Sequence, residues 1–131
     1  MTTVVLDSGA ITRLARKDHL SAARIESLKR HGIWPPVVPS VVLVECLTGR
    51  QRIDAVTNRF LKGCDIEEHL PKQIARNAGK LRDQTGRASE ISAVDAVVVA
   101  VAEPDGIVLS ADPEDLRALA AHAQGVAVEA P

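Results

Sequence analysis

Aromatic residues are almost missing from this chain, which has no tyrosine and only Trp34 and Phe60. A core with so few rings must be aliphatic, and the shortage argues against binding single-stranded nucleic acid by stacking bases on exposed rings. Cysteine is scarce too. Cys46 and Cys64 are too few for a disulfide framework and lack the C-x-x-C spacing of a zinc or redox site, so both read as small buried hydrophobes in a reducing compartment. No apolar run approaches the ~20 residues that a membrane helix needs, and the opening "MTTVVLDSGA" lacks a basic segment followed by an apolar one. A soluble, cytoplasmic protein with no membrane partner is expected. P-loop, G-x-G-x-x-G and G-x-S-x-G motifs are absent, which removes nucleotide-binding and serine-hydrolase readings. His19, His31, His69 and His122 form no H-x-x-x-H pair and read as surface residues.

What is present suits one compact domain over residues 1–131, with 46% hydrophobic and 25% charged residues. The net charge of −1 hides an asymmetry: residues 1–90 hold 15 Lys or Arg against 10 Asp or Glu, whereas residues 91–131 hold Arg117 against 7 acids. A basic majority with a separate acidic cluster suits a protein that attracts a polyanion and holds cations at one spot. An unevenly charged, solvated surface would read the same way.

Strand and helix signals alternate along the chain. "TVVLD" is a β-branched run that predicts a strand at about 3–6, followed by a helix at about 8–17. "SAARIESLKRHG" predicts a helix with Ser21 as N-cap, Ala22, Ile25 and Leu28 at helical spacing, and Gly32 as its stop. A short strand in "WPPVVP" precedes a short buried helix within Ser40–Gly49. Then come a helix in "QRIDAVTNRFLKG" with Ile53, Val56 and Phe60 on one face, and a strand around 64–66. An amphipathic helix follows, with Pro71 at its first position and Ile74, Ala78 and Leu81 inward. "SAVDAVVVAVAE" reads as a helix packed tightly on a sheet, ahead of a strand at 106–110, a helix at 113–122 and a last strand "VAVEA". Such alternation implies an α/β domain in which a mostly parallel central sheet of about five short strands is flanked by helices on both faces.

Ligands of open parallel sheets bind outside the carboxyl ends of the strands, so acids placed there stand out. Asp7 closes the first strand, Asp112 follows the strand ending near Ser110, and Asp95 begins the all-apolar helix. Each has a purely structural account. Asp7 and Asp112 serve as N-caps, and Ser92 to Asp95 resembles a capping box. Glu45 has no such account: it lies among Val41, Val42, Leu43, Val44 and Leu47, beyond the first helical turn. It needs a metal, an arginine partner such as Arg50 or Arg52, or an exposed rim position. If the four converge, an all-oxygen cluster without His or Cys points to a hard cation, Mg²⁺ or Mn²⁺.

The ordered set "VVLDSGA", "PSVVLVECLTG", "SAVDAVVVAVAE" and "GIVLSADPEDLRAL" resembles the PIN-domain nucleases, and specifically the VapC-type toxins of bacterial toxin–antitoxin pairs. The resemblance spans essentially the whole chain. It implies an acidic quartet of Asp7, Glu45, Asp95 and Asp112, with Asp115 as a further acid that stands as the alternative fourth ligand. Ser110 is the small hydroxyl residue before the last motif. It also implies a Mg²⁺- or Mn²⁺-dependent endoribonuclease cutting structured RNA such as transfer or ribosomal RNA. A homodimer and a cognate antitoxin, whose C-terminal segment enters the active-site groove, are implied as well. One departure is Gly9 after Ser8, where the family often carries a second hydroxyl residue.

On this reading Asp7, Asp95 and Asp112 hold the metal, Glu45 binds a second ion or orients the attacking water, and Arg13, Arg16, Lys72, Arg76 and Arg82 grip the RNA backbone. Ile25, Leu28 and the segment around Trp34 either form an antitoxin groove or pack in the core. A receiver module would want paired acids after the first strand and a lysine after the last core strand, and a haloacid-dehalogenase-like phosphatase would want Asp-x-Asp. Asp7-Ser8-Gly9 and "VLSADP" supply neither. The remaining rival is a catalytically silent PIN-like module that binds RNA or protein.

Overall fold

The structure is a computed structural model and describes residues 2–131. Its first strand, β1 (Val4–Leu6), is fully buried and runs in the middle of a five-stranded sheet. The others are β2 (Val37–Pro39), β3 (Asp65–Glu67), β4 (Ile107–Leu109) and β5 (Ala127–Glu129), in the order β3-β2-β1-β4-β5. Every pairing is parallel. An aliphatic β1 is what such a strand requires, because a parallel sheet is covered on both sides and leaves no polar face.

Helices α1 (Ser8–Ala15), α2 (His19–Arg30), α3 (Leu43–Cys46) and α4 (Gln51–Leu61) form one group around α1, while α5 (Lys72–Gln84), α6 (Ala93–Ala102) and α7 (Glu114–Ala120) form another. Both groups pack against β1, whose edges are already taken by β2 and β4, so the sheet is clothed on both faces. The expected α/β architecture is borne out, with an all-parallel sheet. α6 is its densest layer: Ala96, Val97, Val98, Val99, Ala100 and Ala102 are all buried. Small side chains let it sit close to the sheet, and at Gly106 a Cβ would lie 2.2 Å from the Ala102 carbonyl oxygen, so no other residue fits the turn into β4. No helix among the described residues is long and apolar enough to cross a membrane.

Several local expectations are corrected. The cap of α2 is Asp18, not Ser21: the Asp18 carboxylate accepts from the Ser21 N–H at 2.8 Å, and the Ser21 hydroxyl is spent on the Arg13 carbonyl. Ala22 faces solvent, while Leu28 is buried and Ile25 half-buried. In α4 the buried residues are Asp54, Phe60 and Leu61, whereas Ile53 and Val56 are exposed. Ser40–Gly49 is not one buried helix. A 3₁₀ turn over Ser40–Val42 leads into the four-residue α3, none of whose residues is buried. The loop beyond α3 is tied down by Asp54, which accepts from the backbone N–H groups of Thr48 and Gly49 and from the Thr48 hydroxyl. Cys46 and Cys64 are half-buried, and burial pushes the Cys64 thiol up to about 12, which makes it inert.

Candidate active site

The register of the central ladder assembles the site. Leu6 pairs with Leu109, and the Asp7 N–H donates to the Leu109 carbonyl at 3.3 Å, so the chain leaves β1 and β4 at the same edge with Asp7 beside Ser110. Asp7 is buried and caps α1, accepting from the Ala10 N–H at 2.8 Å as expected. Burial pushes its carboxyl above the ordinary range and the charge of Asp112 adds to that, while the Ser110 hydroxyl and the Ala10 N–H pull the other way. Gly9 has a packing reason that motif comparison misses. A Cβ there would meet the Ala111 Cβ at 3.2 Å, so glycine lets the first turn of α1 close onto the loop that carries Asp112.

Asp112 itself is exposed and is not an N-cap. α7 begins at Glu114, with Pro113 in the cap position and no side-chain capping bond, and the Asp112 backbone N–H donates to the Ser110 hydroxyl at 3.0 Å. Ser92 caps α6 by accepting from the Asp95 N–H at 3.0 Å. Among the described residues Asp95 makes no return bond to the Ser92 N–H, so the capping box is half-formed. The half-buried Asp95 carboxyl is raised to about 6. Desolvation is the largest cause, followed by the charges of Glu45 and Asp7, with Asp115 contributing less and the Ser92 hydroxyl opposing.

Glu45 occupies the exposed rim position and has no arginine partner among the described residues. It lines a cleft of about 330 Å³ with Ser8, Gly9, Thr12, Arg13, Arg16 and Ala111. Asp115 is already partnered, with its Oδ1 3.0 Å from Nη2 of Arg87. The charges of Glu45, Asp7 and Asp115 reach Asp95, and that of Asp112 reaches Asp7. Among the described residues no three His, Cys, Asp or Glu side chains stand together as a ready-made metal cage.

Of the basic residues, Arg16, Lys72 and Arg76 are exposed, while Arg13 pairs with Asp18 at 3.1 Å. Arg82 is half-buried and donates from Nε to the Ile91 carbonyl, so its guanidinium serves the α5–α6 turn and not a free surface. Arg87 is the residue that sequence reasoning missed. Nothing in its local pattern sets it apart, because its partner Asp115 lies 28 positions away.

The acids lie outside the carboxyl ends of the strands of an open parallel sheet, the place where ligands of such sheets bind. The sequence matches the PIN domain over residues 4–121, and the chain belongs to that family of nucleases. Similar solved structures agree on the fold. VapBC2 from Rickettsia felis, solved bound to a DNA fragment from their promoter, superimposes with a TM-score of 0.76 at 13% identity, covering 99% of each chain. DNA-bound VapBC from Salmonella typhimurium gives 0.72 at 16% identity, with 99% of this chain and 98% of that one covered. A Pyrobaculum aerophilum protein gives 0.60 at 17%, covering 97% and 90%. No curated protein matches the sequence closely enough to count as a relative.

Proposed function

We propose that this protein is the VapC-type toxin of a toxin–antitoxin pair, a cytoplasmic, divalent-metal-dependent endoribonuclease that cuts structured RNA such as transfer or ribosomal RNA. The observation that carries this reading is the gathering of Asp7, Glu45, Asp95 and Asp112 at the carboxyl edge of a PIN-domain sheet, with the Asp95 carboxyl raised to about 6 by burial and by its acidic neighbours. So much negative charge without a compensating lysine calls for a cation, and donors that are all oxygen fit Mg²⁺ or Mn²⁺ in kind.

Asp7, Asp95 and Asp112 would hold the ion, directly or through water. When bound, such an ion supplies a Lewis acid for the phosphodiester oxygens and lowers the pKa of water. The chain's own residues do the rest. Asp7 is fixed by the bond from the Ala10 N–H and by the Ser110 hydroxyl, so its carboxylate keeps one direction. Glu45, exposed on the cleft wall, accepts a proton from the attacking water or serves a second ion. Arg16 in the same cleft, with Lys72 and Arg76 on α5, grips RNA phosphates, which positions the substrate without reading its sequence. A homodimer and a cognate antitoxin complete the reading, the antitoxin being supported by the fold shared with the two VapBC structures.

The test is incubation of partner-free protein with total cellular RNA in Mg²⁺, Mn²⁺ or EDTA, alongside Asp95→Asn. Discrete fragments that need the metal and vanish in the variant are expected. Tight RNA binding with no cleavage in any lane would instead make the protein a silent binding module.

A further inference from the structure

The proposed mechanism leaves Arg87 unused, yet it is the one cation among the described residues that bonds any of the five clustered acids. Its backbone is locked in the α5–α6 turn: its N–H donates to the Thr85 hydroxyl, and its carbonyl accepts from the N–H groups of Glu90 and Ile91. Its guanidinium is clamped between two carboxylates, Nε on Glu90 at 2.9 Å and Nη2 on Asp115 at 3.0 Å. A planar fork held on both sides is pre-organised, so it keeps its partner in one place. That partner stands within electrostatic reach of Asp95. By contrast, no cation among the described residues pairs with the Asp112 carboxylate, and its charge acts on Asp7.

We infer that Arg87 is a positioning residue: it holds Asp115 out of the carboxylate set that faces a divalent cation, and so leaves Asp112 as the fourth acid. Removing Arg87 takes away the positive charge that offsets Asp115 and frees its oxygens as mobile donors. The counterintuitive consequence is that removing Arg87 tightens metal binding. This inference rests on the metal-site reading proposed above.

Calorimetric titration of Mn²⁺ into the full chain, without RNA, separates the two. Arg87→Ala and Arg87→Gln should each bind Mn²⁺ roughly threefold to tenfold more tightly than wild type, the modest size reflecting a half-exposed pair. Arg87→Lys, which keeps the charge, should stay nearer wild type. The gain should vanish when Asp115→Asn is added to Arg87→Gln, an effect that a merely structural role for Arg87 would not produce. The glutamine variant keeps the stem packing and carries the test if the alanine variant fails to fold. Unchanged or weaker binding in the Arg87 variants overturns the inference while leaving the metal site intact. No Mn²⁺ binding by wild type at millimolar ion overturns the metal-site reading and this inference with it.

Discussion

Leu6 lies directly opposite Leu109 in the β1–β4 ladder, and that pairing carries Asp7 and Ser110 out of the sheet side by side. Asp7 consequently has two jobs that one atom does not explain. One oxygen caps α1 through the Ala10 N–H, and the carboxylate charge faces Asp112. An asparagine keeps the capping acceptor and removes the charge. Asp7→Asn is expected to retain its fold and melt within a few degrees of wild type, while metal-dependent RNA cleavage falls at least ~100-fold. Asp7→Ala should lose the cap as well, at about 1 kcal/mol. Circular dichroism melts beside a cleavage assay check both, and near-wild-type cleavage by Asp7→Asn would remove Asp7 from the chemistry.

Asp95 makes a pH signature. Its carboxyl is raised from 3.8 to about 6, so the folded chain holds its proton more tightly than the unfolded chain does. Across that window the folded state binds more protons, and the contribution of Asp95 to stability declines as the pH rises through it. The loss is complete above the folded value. Metal-free Asp95→Asn, which cannot ionise, should match wild type near pH 4 and exceed it at pH 7 by about 1 kcal/mol after discounting for the half-exposed carboxyl. Urea unfolding in EDTA at both pH values measures this directly. Parallel stability curves for the two proteins would mean that Asp95 is not strained in the folded state.

How much of this was legible in the sequence depends on how local each signal is. A β-branched run ending in Asp7-Ser8 carries both the strand and its cap within a few residues, and "SAVDAVVVAVAE" announces a buried helix by itself. Asp7, Asp95 and Asp112 sit next to strand ends or a helix start, which a parallel sheet directs to one edge, whereas the sequence offered no local rule for placing Glu45. Long-range pairs were not legible. Asp115 finds Arg87 across 28 positions, and Asp54 looks like an ordinary helical acid until its carboxylate is seen gathering the Thr48 and Gly49 amides. Periodicity also cannot tell which apolar face a neighbour covers. Ile53 and Val56 share a stripe with Phe60, but both are exposed, whereas Phe60 is buried and meets Trp34 edge to face, with ring centroids 6.3 Å apart.

The same distinction separates Val42 from Val44, two residues of one type, two positions apart in a run that reads as uniformly buried. Val42 closes the 3₁₀ turn with no exposure, packed into the core. Val44, in the first turn of α3, is 78% exposed. Truncating a sealed aliphatic side chain loses both its transfer free energy and its packing partners, whereas an exposed one has little to lose. Val42→Ala should therefore cost about 2 kcal/mol, and Val44→Ser should stay within about 0.5 kcal/mol of wild type. Urea unfolding of the isolated protein measures both. An equal, large cost at the two positions would show that Val44 is covered in solution, which an association of this face with a second protein surface would produce.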